Sequence, residues 1–261
     1  IMDLSTVLGL LAASGAVIAA LYMDGGNIQE LFAHMSAIIL TVGGALGAGM
    51  LSFPLATMIS LPNLLAKTFI SSKENIEETI EAVVKMADKA RREGILSLEE
   101  DAKKIEDVFM RKGVMLVVDG VDSHQVRSIM EADSKLMGHR HELGIGLLAA
   151  MGGYAPTLGI IGTVMGLINV LKQLSQPEKL GEAIGAAFLA TLWGIMTANL
   201  FWLPLASKLR VKSADEVAAR EMITEGVLAL QAGENPRIVR EKLSTFLPPK
   251  KRPSDEAKEK K

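Results

Sequence analysis

The chain has 261 residues, 49% of them hydrophobic, a formal net charge of -2 and no cysteine. The missing cysteines exclude a disulfide framework and a thiolate metal site, and leave the redox compartment open. Near-neutral charge and only 4% aromatic residues exclude a nucleic-acid footprint.

Apolar runs decide the class. A bilayer crossing by a helix needs about 20 apolar residues. The first such run is Leu4–Met23, too long for a signal-peptide core and without a basic leader, so it reads as a retained helix. Asp24-Gly25-Gly26-Asn27 then makes a turn. A second run, Leu31–Phe53, ends at Pro54, because the residue before a proline is biased out of the helical region. Thr57–Ala66, with Pro62 inside it, reads as a helix or turn lying at the interface.

The block Thr68–Glu142 is charged and helical. Ser71-x-x-Glu74 is a capping box, followed by a helical stripe of Ile76, Ile80, Val83, Val84, Ala87 and Ala90. Arg91 and Arg92 sit in the last turn, and Gly94 falls just past it. A second capping box, Ser97-x-x-Glu100, predicts a helix with the stripe Leu98, Ala102, Ile105, Val108 and Phe109. Gly113–Gly120 fits a turn of helix or a strand, and periodicity does not choose. Asp122-x-x-Gln125 predicts a third helix running directly into the next span.

The third and fourth runs, Leu143–Leu171 and Ala183–Ser207, hold no acidic or basic residue. An amphipathic helix follows to about Ala232, with a break at Gly233–Pro236 and a short striped segment Ile238–Phe246. The mixed-charge end Lys250–Lys261 is expected to be disordered. The predicted fold is an all-α polytopic membrane protein. Its four transmembrane helices enclose a helical domain between the second and third. The expected divisions are 2–53 (first two spans), 54–142 (interfacial segment and helical domain), 143–207 (last two spans), 208–249 (C-terminal helices) and 250–261 (tail). Lys67, Lys73, Lys135, Arg140, Lys208, Arg210 and Lys212 gather on one side of the spans, against Lys172 and Lys179 on the other. The positive-inside rule therefore places the termini and the central block in the cytoplasm.

The chemistry is sparse. No P-loop, H-E-x-x-H or nucleophile elbow occurs, so an enzyme is not predicted. His34, His124, His139 and His141 form no helix-spaced pair, and no metal site is expected. Gly43, Gly47, Gly162 and Gly166 give the small-xxx-small spacing of close helix packing in lipid. Pro156 and Pro204 fit either packing kinks or hinges. The last two spans carry Thr157, Thr163, Asn169, Thr191, Thr197 and Asn199. Thr163 and Thr191 fit either back-bonding to their own turn or ligation of a passing cation. Two hydroxyls cannot replace an ion's water, and no span carries a carboxylate, so a partner helix must bring one. Arg91, Arg92, Glu99 and Glu100 form a cluster that fits a solvated face or a docking surface whose charges set the partner's register.

Several of these segments resemble one family. Lys89-Ala90-Arg91-Arg92-Glu93-Gly94-Ile95-Leu96-Ser97-Leu98-Glu99 is similar to the cytoplasmic signature of the MotA/PomA flagellar stator proteins of the MotA/TolQ/ExbB superfamily. Tyr154-Ala155-Pro156-Thr157-Leu158-Gly159-Ile160-Ile161-Gly162-Thr163 resembles the start of that family's third span, and Phe201–Leu209 the end of its fourth. Val118-Asp119-Gly120 and Glu225-Gly226-Val227-Leu228 also fit. The resemblance implies that Arg91 and Glu99, assisted by Arg92 and Glu100, meet the rotor switch protein FliG. It implies that Pro156 and Pro204 couple ion passage to conformational change. Thr191 would face the ion-carrying aspartate of a peptidoglycan-anchored MotB/PomB-type subunit. Thr163 stands where sodium-using members carry threonine, while Ala190 departs from the double threonine of some of them. The transported cation would be sodium or proton, with sodium favoured and no cofactor. The assembly would be a homopentamer around two partner chains, in the bacterial inner membrane and its lipid. An ExbB/TolQ-like energiser of outer-membrane processes is the alternative.

Overall fold

A computed structural model describes residues 2–71, 75–175 and 177–252. Among these the fold is all-α, with one isolated antiparallel bridge between Met2 and Ile70. Four helical stretches are long and apolar enough to cross a membrane: Leu4–Met23, Met35–Ser52, Ser123–Lys172 and Leu180–Gln231. The chain divides into two compact units, Ile1–Ser72 with Arg140–Val211, and Lys73–His139 with Lys212–Lys261.

The first unit holds the spans. Helix α1 is Leu4–Met23, capped by Asp3, whose carboxylate accepts the Thr6 N–H at 3.3 Å. It buries no residue and is apolar all round, as suits a helix meeting lipid or other chains. Helix α2, Ile28–Phe32, is a single capped turn and a half. The second crossing, α3, is Met35–Ser52 rather than Leu31–Phe53, because the helix breaks at Ala33 and His34 becomes its cap residue. That places the one histidine of the predicted span outside it. The carbonyl of Leu31, at the end of α2, accepts the Trp193 indole N–H at 2.8 Å, and Phe32 meets that indole edge-on. Within α3, Ile39–Gly43 widens into a π turn. Its hydroxyl, Thr41, is fully buried and donates to the Ala37 carbonyl at 2.8 Å.

Pro54 ends α3 as expected. The interfacial stretch is two short helices, α4 (Leu55–Ile59) and α5 (Leu61–Phe69), with Pro62 in the first turn of α5, where its missing N–H costs nothing. The chain start is strapped to the end of α5: Asp3 N–H donates to Phe69 O at 2.7 Å, and Thr6 Oγ1 to Thr68 O at 3.2 Å.

The second unit begins with α6, Ile76–Glu93, whose buried Ile80, Val83, Val84, Ala87 and Ala90 are the predicted stripe. Its cap residue is Asn75, without a side-chain bond, and Glu74 of the expected capping box lies outside the described residues. The second box is corrected. Ser97 Oγ donates back to Gly94 O at 2.7 Å inside a 3-10 turn, Ile95–Leu98, and α7 is only Glu99–Ala102. Asp107 then caps α8, Val108–Val118, by accepting the Met110 N–H at 2.6 Å. A local carboxylate-to-backbone bond thus outcompetes the continuous helix that the stripe predicted. The Gly113–Gly120 ambiguity resolves as helix.

Helix α9, Ser123–Lys172, starts with Asp122 accepting the His124 N–H and runs unbroken into the third span, as the sequence predicts. Helix α10, Pro177–Thr197, passes through a second π turn, Ala198–Trp202, into α11, Leu203–Gln231. Helix α12 is Pro236–Ser244. Helices α9 and α11 each contribute to both units. In the second unit Val83, Leu98, Val114, Val126, Val227, Val239 and Leu243 are all fully buried in one core.

Ion pairs tie the second unit's rim. Arg240 grips Glu81 with both guanidinium nitrogens. Glu225 of α11 bridges Lys242 at 2.9 Å and Arg127 at 2.8 Å, and these two cations hold its carboxyl below the ordinary range. A depressed folded pKa contributes stability that is complete above the unfolded value, about 4.3, and is lost as pH falls through the folded value. Acid titration of the folded chain should therefore weaken the second unit below about pH 4.3. Glu225→Gln should flatten that slope in a hydrogen-exchange series over α11 and α12.

Candidate functional site

In the first unit α9 and α10 approach closely, and small residues permit it. A Cβ added to Gly159 would stand 2.8 Å from the Ala190 carbonyl and 3.1 Å from the Thr191 Cα. One added to Gly194 would stand 2.5 Å from the Ala155 carbonyl. These neighbours are backbone, so they cannot swing aside. Gly162 and Gly166 face Ala190 and Ala187 in the same seam, as their spacing predicts. Gly43 and Gly47 do not serve this purpose within the chain: at Gly47 a Cβ would meet nothing within 4 Å. Gly44, one residue later, takes the contact instead, against Leu158. Gly159 and Gly194 also stand in small-xxx-small spacing, Ala155-xxx-Gly159-xxx-Thr163 and Ala190-xxx-Gly194-xxx-Ala198, a signal visible once alanine and threonine are counted as small.

That seam brings Thr163 and Thr191 together. Their hydroxyls are in hydrogen-bond contact, both half-buried. Thr163 Oγ1 also reaches Ala187 O at 3.0 Å and Gly159 O at 3.2 Å, and Thr191 Oγ1 reaches Gly159 O at 3.4 Å. The other threonines of the last two spans stay at home: Thr157 donates to Tyr154 O and Thr197 to Trp193 O. Asn199 likewise gives its amide to Ile195 O. Thr163 and Thr191 therefore differ from Thr157, Thr197 and Asn199 in bonding across helices, as the Tyr154 and Ser52 hydroxyls also do at 2.8 Å between α9 and α3. Hard cations take about six or more oxygen ligands. Two hydroxyls and helix carbonyls already in use fall short of that, and no group of three or more His, Asp or Glu able to hold a metal occurs among the described residues.

Pro156 sits inside α9 without ending it. Pro204 is the second residue of α11, directly after the π turn, whose wider spacing accommodates a residue with no N–H to give. The two proline turns pack on one another. Gly152, four residues before Pro156, lies against Trp202 and Leu203, the two residues before Pro204. The Trp202 indole nitrogen in this contact is buried with no partner among the described residues.

The charged cluster is in the second unit. Arg91 and Arg92 end α6, and Gly94 turns the chain at φ 86°, a left-handed conformation that favours glycine. Glu99 and Glu100 then open α7. Lys89 fastens α6 to α7 through Asp101 at 2.6 Å, and Leu98 is buried beneath the turn. Arg92 pairs with Asp88 at 2.9 Å; Lys103 reaches Glu99 at 2.9 Å and Glu100 at 3.3 Å, which raises the lysine's pKa. Glu99 thus has a local partner that the sequence reading missed, although the Glu-to-Lys spacing of four residues signals it. Such exposed pairs hold little energy and exchange readily. Arg91 is exposed and forms no ion pair among the described residues.

The seam generates a contrast between glycines. Gly159→Leu should force α9 and α10 apart and lower the melting temperature of the detergent-extracted chain. Gly47→Leu, with open space around it, should leave that temperature unchanged.

A profile of the MotA/TolQ/ExbB proton channel family matches residues 101–222. The chain is 37% identical to motility protein A of Bacillus subtilis over 252 residues, 96% of this chain and 93% of that protein. It is 37% identical to the chemotaxis protein PomA of Vibrio alginolyticus over 246 residues, 94% of this chain and 96% of that one. The structure of C. jejuni MotAB contains a chain that superposes with a TM-score of 0.92 at 30% identity, covering 97% of this chain and all of that one. The flagellar MotAB stator complex of Bacillus subtilis gives a TM-score of 0.90 at 35% identity, covering 99% and 100%. Sequence and fold agree over nearly the whole length, and the chain is a multi-pass membrane protein of the MotA/PomA flagellar stator family, within the MotA/TolQ/ExbB proton channel family.

Proposed function

We propose that this chain is the flagellar stator subunit that, with a MotB/PomB-type partner, turns ion flow across the bacterial inner membrane into torque on the rotor. The observation that carries the proposal is the uncharged Thr163–Thr191 pair at the close crossing of α9 and α10, in a chain whose fold matches MotAB stator chains end to end. The pair offers oxygens without a countercharge. A carboxylate on the partner's single span supplies that charge as the ion passes. Five copies surround two partner chains, and the partner is anchored to peptidoglycan.

The energetics suit this division of labour. One charge moving through about 100 mV yields roughly 2.3 kcal/mol. That biases a step between two packed arrangements without unfolding either. The packed turns around Pro156 and Pro204 are where such a step is absorbed, since each lacks one helix hydrogen bond to break. The second unit is cytoplasmic, and Arg91 with Glu99, flanked by Arg92 and Glu100, engages FliG. The exposed, unpaired Arg91 and the readily exchanged Glu99–Lys103 pair support this. Four spans with the helical unit between the second and third favour the motor over an ExbB/TolQ-like energiser.

Reversing the pair, Arg91→Glu with Glu99→Arg, should abolish swimming while membrane assembly with the partner stays normal. Intact swimming would make the cluster a solvated face. Thr163 favours sodium as the driving ion. Swimming should then follow external sodium, and Thr163→Ala should weaken that dependence. Swimming that ignores sodium removal yet stops with a protonophore would assign the current to protons.

A further inference from the structure

The geometry points to a phospholipid-binding slot in the first unit, between α1 and the junction of α10 with α11, that takes an ethanolamine-type zwitterionic headgroup at its mouth and an acyl chain along its length. The slot is a cavity of about 290 Å³. Its mouth is polar. Lys208 Nζ lies 2.8 Å from Asp3 Oδ2 and 2.9 Å from Ser5 Oγ. Its body is apolar and runs along one face of α1 past Gly9, Leu10 and Ala13, opposite Leu200 and Leu205. From Ser5 to Ala13 this is about 12 Å of helix. A Cβ on Gly9 would meet nothing within 4 Å, so the small residue leaves the slot open. At the far end Asn199 gives one amide N–H to Ile195 O at 2.9 Å.

Charge complementarity selects the headgroup. Asp3 and Lys208 place opposite charges side by side where the first span leaves the apolar layer. The lysine and the Ser5 hydroxyl hold the Asp3 carboxyl well below the usual carboxylate range, so it stays ionised. A headgroup phosphate accepts from Lys208, and a primary ammonium donates to Asp3, beside the Ser5 O–H that Asp3 Oδ1 already accepts at 2.6 Å. A purely anionic headgroup would set a second negative charge against Asp3. Apolar-lined space of this kind stays dry, and in a bilayer hydrocarbon fills it. The acyl chain then packs on Pro204, bracing the turn after the π segment. This inference is independent of which ion the chain conducts.

The test reconstitutes the full chain in phosphatidylcholine vesicles carrying a trace of phosphatidylethanolamine with a photoactivatable acyl chain, and maps the adducts by peptide mass spectrometry. Adducts should concentrate on the segments around Gly9–Ala13 and Leu200–Leu205. Gly9→Leu should lower them about tenfold, equal to ~1.4 kcal/mol. Gly15→Leu, on another face of α1 and also in open space, should not. Asp3→Asn should remove the preference over a photoactivatable phosphatidylglycerol. Adducts spread evenly around α1, equal labelling by both lipids in the unaltered chain, or no adducts in these segments, as a water-filled slot or a neighbouring copy would give, each overturns the proposal. The unaltered chain alone decides these outcomes, whatever the variants do to folding.

Discussion

The approach of α9 to α10 is the constraint on which the first unit depends. Without a hydrophobic force between helices in lipid, association rests on van der Waals contact and on hydrogen bonds between helices. Gly159 and Gly194 let backbone meet backbone, and that closeness puts the hydroxyls of Thr163 and Thr191 in contact. Thr157 and Thr197, away from that contact, bond only within their own helices, whereas Thr163 bonds both to its own turn and across the seam. The seam thus creates both the packing and the polar pair shared by the third and fourth spans.

Departures from regular helix cluster around this seam. Two π turns, one in α3 and one leading into α11, and the prolines Pro156 and Pro204 lie in the first unit, and none of these four ends its helix. Each leaves a turn with a bond to spare, which in a membrane must be absorbed by neighbouring protein. Gly152 packs against Trp202 and Leu203 beside the second of these turns. A chain built this way has stiff spans with defined soft points, which fits an element with two packed states.

The second unit follows water-side rules. Its core is a conventional apolar cluster, its rim is laced with ion pairs, and its charged turn stands on a buried leucine, Leu98. Exposed pairs such as Lys103 with Glu99 keep charges oriented at small energetic cost and can trade partners. Arg91, one turn away, has none to trade.

The sequence by itself determined the class, the four crossings, the stripe of α6 and the passage of α9 into the third span, because those depend on apolar period and length. It also singled out Thr163, Thr191, Pro156 and Pro204 by their rarity in apolar runs, and the quoted motifs carried the family. Local competition decided the helix ends that the periodicity missed. Asp107 captured the backbone that a stripe through Ile105 predicted to be continuous, and Ser97 turned back on Gly94. Only the tertiary structure decided which glycines matter, that the two threonines touch each other, that the proline turns share a contact, and that Asp3 meets Lys208. These are pairings between residues far apart in the chain, set by the crossing of two helices, and no period along one helix encodes them.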